Sequence, residues 1–393
     1  MRIDAVDIFY LALPEVRDIG DGSQDMALVR VRAGGFTGWG ECEASPLPTI
    51  AALVTPPSHS ACHGVLDSVV GAEVSAPADI SRLARTVRER GLDLLQTPHA
   101  WSGVEIALWD LLGHAAGEPA WALRGVTEPH PRRPYASQLF GDDPQETYRK
   151  AAAVAASGYT AAKFGWGPYG RGTAQADADQ VHAAREGLGP DVDLLVDAGT
   201  VFGEDVDAAA ARIPALVEAG VVWLEEPFVA GALAAHAELA HLSRSVRLAG
   251  GEGASSFHHA RQLIDHGRLG YIQIDTGRIG GIGPAASVAH YAKSAGVQFV
   301  NHTFTSHLAL AASLVPYADT PGDLLCEYPV ESSPLAHGLT RTHLEPGDDG
   351  LIRLPSGPGL GVELDLDAVR PYLQEVEIMV NSRLLYRTPE LTP

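Results

Sequence analysis

Six ionisable residues recur at nearly even intervals through the second half of the chain, each closing a short apolar run: Asp197, Glu225, Glu252, Asp275, His302 and Glu327. The intervals are 28, 27, 23, 27 and 25 residues, close to the length of one strand-helix unit in a barrel of parallel strands. The runs LLVDAG, VVWLEEP, VRLAGGE, YIQIDTG, VQFVNHT and DLLCEYP read as strands buried on both faces, because a parallel sheet covered by helices demands near-continuous apolar sequence. A charge at the end of such a strand belongs at a rim. If the strands close into a barrel, all six charges meet at one mouth.

Two further runs, RPYASQLF and TAAKFG, precede these and bring the strand count to eight. Alanine-rich segments with helical periodicity, among them ETYRKAAAVAAS and IGPAASVAHYAKSAG, separate the strands. The expected fold is therefore α/β, a (β/α) barrel of the TIM type over residues 131–363. Ahead of it, IDAVDIFYLAL and MALVRVRAGGFTGWGECEA alternate apolar with polar residues, and Gly34-Gly35 stands where a hairpin turn needs positive φ. SRLARTVRERGLDLL and HAWSGVEIALWDLLGHAAG follow as helices, the second with Val104, Ala107, Leu108, Leu111 and Leu112 on one face. Residues 1–130 thus read as an N-terminal α+β capping domain, completed by the tail 364–393, whose segment LDAVRPYLQEVE reads as helical. The stretches Gly20 to Gln24 and Pro46 to His63, rich in glycine or proline, are predicted to cover the barrel mouth as lids.

The formal charge of −21 and pI near 5.1 oppose binding to nucleic acid or to an anionic membrane. An anionic small-molecule substrate would need local positive charge from Lys163, Arg171 or a bound cation. Cys42, Cys62 and Cys326 are odd in number and widely spaced, which indicates neither a disulfide framework nor a structural zinc site. The opening MRIDAVDIFYLALP places acids where a signal peptide needs a basic start, and no run approaches the roughly 18 apolar residues of a membrane span, so a cytoplasmic location is expected.

The set Val196-Asp197-Ala198, Trp223-Leu224-Glu225-Glu226-Pro227, Gly250-Gly251-Glu252, Asp275 followed by Gly280-Gly281, then His302 and Glu327, resembles the mandelate racemase subgroup of the enolase superfamily, and VEIALWDLLGHAAGEP is similar to the segment joining its cap to its barrel. The resemblance implies an enzyme, a homo-oligomer acting on a small-molecule carboxylate. Asp197, Glu225 and Glu252 would hold one divalent ion, Mg2+ with Mn2+ as a substitute, and such a hard ion suits an all-oxygen ligand set. Glu226, by strand alternation, should point away from Glu225. Asp275 and His302 would form a dyad in which the carboxylate fixes the imidazole for proton transfer. Glu327 would face the substrate oxygen that gains charge. Lys163 resembles the family's lysine base, but where the family carries Lys-x-Lys this chain has Ala161-Ala162-Lys163. His307, five residues past His302, is expected at the start of a helix in a capping or surface role.

Two reactions then compete. If Lys163 and His302 lie on opposite faces of the substrate, one deprotonates and the other reprotonates, giving a racemase or epimerase of a 2-hydroxy acid. If His302 protonates a departing β-hydroxyl, the product is a 2-keto-3-deoxy acid, giving a dehydratase. A polar mouth, with Gln138, Arg171, Asn301 and Thr303 as candidate substrate contacts, favours the dehydratase of a sugar acid, an aldonate or aldarate. A catalytically inactive barrel used for binding is the reading from another class, because barrels of this kind host many functions.

Overall fold

Alternation in the first 43 residues is satisfied by a sheet with one covered face. In the computed structural model, which describes residues 1–43, 45–243 and 245–392, strands β1 (Ile3–Ala12), β2 (Asp25–Ala33) and β3 (Phe36–Glu43) form an antiparallel meander that turns at Gly34-Gly35. Against it packs the helix Thr97–Ala116, in which Val104, Ala107, Leu108, Leu111 and Leu112 are all buried. The segment Pro46–Val54 is a helix whose Ile50 and Leu53 are fully buried.

Eight parallel strands follow: β4 (Arg133–Leu139), β5 (Ala161–Gly165), β6 (Asp193–Asp197), β7 (Val221–Glu225), β8 (Arg247–Gly250), β9 (Tyr271–Asp275), β10 (Gln298–His302) and β11 (Leu325–Pro329). They hydrogen-bond in the order β10-β9-β8-β7-β6-β5-β4-β11, with helices between consecutive strands, which is the predicted barrel. Beyond it, Leu366–Val369 is a single helical turn, and β12 (Leu373–Gln374) pairs with β1 at the edge of the capping sheet. The last strands, β13 (Glu377–Val380) and β14 (Arg383–Arg387), form a hairpin.

Inside the barrel, Tyr135, Ala161, Leu195, Trp223, Ala249, Tyr271, Val300 and Leu325 form one closed apolar layer. Side chains alternate across a strand, so the residue two further on also points inward, one layer nearer the mouth. That residue is Lys163 after Ala161, Asp197 after Leu195, Glu225 after Trp223, His302 after Val300 and Glu327 after Leu325. The sequence reading takes Ala161 as a lost partner of Lys163, but its place is in this apolar layer.

No ladder joins β10 to β11 among the described residues, and side chains close that seam instead. Asn301 accepts from the Glu327 backbone N–H at 3.1 Å and from the Tyr317 hydroxyl at 3.0 Å, while its amide donates to Thr303 Oγ1 and Ser313 Oγ. Thr303 N–H reaches Glu327 Oε2 at 2.8 Å.

Cap and barrel are joined by a buried carboxylate. Glu105, 1% exposed in the long cap helix, accepts from the backbone N–H groups of Ile282 (2.7 Å) and Gly283 (2.9 Å) at the start of the helix after β9, and Ser102 accepts from Gly280 N–H at 2.8 Å. Gly281 sits at φ 103°, and a Cβ there would stand 2.1 Å from Glu105 Oε2. Gly281→Ala combines backbone strain with overpacking and should cost about 3 kcal/mol, seen as a lower urea midpoint with an unchanged slope.

Candidate active site

The inward parity of five strands, the end of β9 and the turn after β8 set the chemistry at one mouth. Glu252 lies just beyond β8 and reaches the mouth because Gly251, at φ 120°, turns the chain. A cavity of about 240 Å³ opens there, lined by Lys163, Asp197, Glu252 and His302 from the predicted set, together with Gln138. Glu225 and Glu327, both fully buried, lie beneath its floor.

Lys163 ties these acids together. Its ammonium is 2.6 Å from Glu225 Oε1, 2.8 Å from Glu327 Oε1 and 3.7 Å from Asp197 Oδ2. Burial works against that charge, but Glu225 and Glu327 outweigh it and hold the lysine pKa well above its ordinary value. The same-face position nearer the mouth is Gly165, where a Cβ would stand 2.7 Å from the Asp197 Cβ.

His302 Nδ1 lies 2.8 Å from Asp275 Oδ2, so the expected dyad is formed. Its Nε2 faces Glu252 Oε2 at 3.2 Å and Glu327 Oε2 at 3.9 Å. Burial disfavours the imidazolium, yet Glu252, Glu43 and Glu327 hold its pKa well above the usual range. Asp275 is correspondingly held low: burial raises it, but the hydrogen bond to His302 and the charge of Arg278 prevail.

Three contributors escape the sequence reading. Arg278, three residues past Asp275, pairs with Glu252 at 3.1 Å and with Glu43. Glu43, the last residue of β3, brings a capping-domain carboxylate to 3.6 Å from His302 Nδ1. Trp166, at φ 56°, lines the cavity beside Phe304 and lies so close to Gly20 that a Cβ on the glycine would stand 2.5 Å from the indole. The D-x-x-R spacing was the only available signal, since it puts Arg278 one turn beyond the dyad aspartate.

Other candidates lie elsewhere. Arg171 is exposed and does not line the cavity. Asn301 and Thr303 are engaged in the β10–β11 seam rather than turned to the cavity. Glu226 does not line the cavity; at φ 39° the chain leaves strand geometry there, and burial, then the charges of Glu252 and Asp197, push its carboxyl far up. Of the two lid segments, Gly20 and Gly22 line the cavity, whereas no residue of Pro46–His63 does.

Six carboxylates, Glu43, Asp197, Glu225, Glu252, Asp275 and Glu327, therefore face three cationic side chains, Lys163, Arg278 and His302. Burial and the charge of Glu252 leave Asp197 raised to about 6 even with Lys163 beside it. Such a surplus of carboxylate oxygens suits a hard divalent cation, and among the described residues the ligand atoms of Glu43, Asp275 and His302 lie within 4.8 Å of one another there.

Residues 146–368 match the enolase C-terminal domain-like family, and residues 19–125 match the mandelate racemase / muconate lactonizing enzyme N-terminal domain. The chain belongs to the enolase superfamily. It superposes with a TM-score of 0.94 on the crystal structure of a Rhodobacter sphaeroides protein described as a predicted mandelate racemase, at 59% identity over 99% of this chain and 100% of that one. Among curated relatives it is 28% identical to D-galactarolactone cycloisomerase of Agrobacterium fabrum, over 86% of this chain and 88% of the other. It is 29% identical to D-galactonate dehydratase of Xanthomonas oryzae, over 86% and 87%. No helix among the described residues is long and apolar enough to cross a membrane.

Asn301→Ala should leave the Glu327 N–H and the Tyr317 hydroxyl without their buried partner and cost about 2–4 kcal/mol, measurable by denaturant unfolding.

Proposed function

We propose that this enolase-superfamily enzyme is an Mg2+-dependent lyase that removes water from a hydroxylated sugar acid, an aldonate or aldarate, to give a 2-keto-3-deoxy acid. One observation carries the choice over racemisation. Exchange of a proton between two faces needs two mobile acid–base groups, and the cavity offers one, His302. The Lys163 ammonium is held by Glu225 and Glu327, and the neighbouring same-face position on β5 is Gly165.

Asp275 holds His302 by Nδ1, which leaves Nε2 to exchange protons with the substrate. Glu252 and its neighbours keep the proton on Nε2 while their charge is uncompensated; with the Glu252 charge offset by a cation, Nε2 would be neutral, would take the proton from the carbon next to the substrate carboxylate and would return it to the β-hydroxyl as the carbon–oxygen bond breaks, so that water leaves and the resulting enol ketonises. A bound Mg2+ supplies positive charge that stabilises the substrate carboxylate as its neighbouring carbon loses the proton. Lys163 offsets the buried charge of Glu225 and Glu327 beneath the floor. Gln138, with an unpartnered amide nitrogen, and Arg278 are the polar groups turned toward substrate hydroxyls. The curated relatives named for galactonate and galactarolactone support the substrate class.

A panel of acid sugars incubated with enzyme and Mg2+ should contain one that yields a 2-keto acid, and none that returns epimerised with solvent deuterium at the α-carbon. Epimerisation without keto-acid formation would replace this reading with the isomerase. On the productive substrate, His302→Asn should reduce elimination by about a thousandfold or more while Mg2+ affinity stays within about threefold, since Asn fills the space but cannot carry the proton. The metal site has its own pH signature. As ligands, Asp197 and Glu225 must both be ionised to bind Mg2+ and sit at about 6 and about 8 without it, so affinity should be level only above about pH 8, fall by up to about tenfold per unit below that, and fall more steeply still below about 6, read by calorimetric titration.

A further inference from the structure

Outside the catalytic mouth, three histidines from separate segments come together: His307 at the first position of the helix His307–Leu314, His337 near the end of Pro334–Gly338, and His343 in the following loop. One ring nitrogen from each lies within 4.8 Å of those of the other two. The ring centroids are 4.6 Å apart for His307 and His343 and 4.1 Å apart for His337 and His343. None of the three is in an ion pair with a carboxylate among the described residues.

We propose that His307, His337 and His343 form a transition-metal site, taking Zn2+, Ni2+ or Cu2+, distinct from the carboxylate site for Mg2+. Imidazole nitrogen selects these ions over Mg2+, which prefers oxygen. His343 already has the hydrogen-bonding habit of a ligand: Nε2 donates to the His337 carbonyl at 3.1 Å, leaving the Nδ1 lone pair free. His337 has both nitrogens available. His307 accepts at Nδ1 from the Leu344 N–H at 3.1 Å, so its free nitrogen is Nε2, and ligation there requires its proton to move to Nδ1 and that contact to open. Burial and the neighbouring histidines hold His307 neutral down to about pH 4, so no imidazolium charge opposes a cation at neutral pH.

The position gives the site a purpose. His307 follows β10, whereas His337 and His343 follow β11, and these are the two barrel strands with no ladder between them. An ion held by all three would staple the seam from outside, where Asn301 closes it from within.

The test uses the full-length protein saturated with Mg2+, so that the catalytic carboxylates are already occupied when the probe is added. Zn2+ should bind with a stoichiometry of one at micromolar concentration by calorimetry and raise the thermal unfolding midpoint. His337→Asn and His343→Asn, both at accessible positions, should each weaken binding by about tenfold or more, and the double variant should lose the midpoint shift. With Cu2+ as probe, the electron paramagnetic resonance spectrum should show nitrogen hyperfine structure that diminishes in the same variants. Absence of micromolar Zn2+ binding, or binding and nitrogen couplings unchanged in the double variant, would overturn the proposal. Because every readout is independent of turnover, failure here is distinguishable from failure of the lyase assignment.

Discussion

Everything at the mouth depends on the two-residue period of strands wrapped into a closed barrel. Once the interior layer of Tyr135, Ala161, Leu195, Trp223, Ala249, Tyr271, Val300 and Leu325 is packed, the next inward positions are fixed in height and direction. A one-residue slip in β5 or β6 would exchange its ionisable group for an apolar neighbour, and in β10 it would put Asn301 or Thr303 in the place of His302. The barrel therefore forces Lys163, Asp197, Glu225, His302 and Glu327 into a shared, poorly hydrated layer, where like charges raise one another's proton affinity. The resulting surplus of negative charge is a property of the fold's register, and it makes a bound cation part of the balance of the site rather than an addition to it.

The seam between β10 and β11 shows how closely closure and chemistry are tied. Glu327 accepts from Ser137 on β4, from Lys163 on β5 and from the Thr303 backbone just past β10. Its carboxylate thus spans the place where backbone pairing stops. Asn301 does the same one residue before His302, so a change at either position reaches both the shape of the barrel and the posture of the imidazole.

Much of this was legible in the chain. Eight apolar runs, six of them with ionisable endings, specify the strands, because buried parallel strands tolerate charge only at their ends. The Asp275–His302 dyad followed from the resemblance to the enolase superfamily. What escaped was set by side-chain direction and by contacts between distant segments, for which no local pattern exists. Arg171 looked like the cation of the mouth because it follows β5, yet the turn after Trp166 carries it out to solvent, and Arg278 stands there instead. Asn301 sits beside His302 in sequence, but alternation along the strand turns it to the seam. Pro46–His63 read as a lid because of its prolines, whereas Pro46 begins a helix and Ile50 and Leu53 bury its face. Glu43 was invisible because its partners, Arg278 and His302, are more than two hundred residues away.

Glu105 has one further consequence. By bonding the backbone at the head of the helix after β9, with Ser102 beside it, the long cap helix is bolted to the barrel at a point where water is excluded. A cap fixed in this way cannot swing open like a jaw. What covers the mouth beyond that joint is small: the exposed stretch leading to Gly20, rooted where Ser23 meets Ser333 and resting against Trp166.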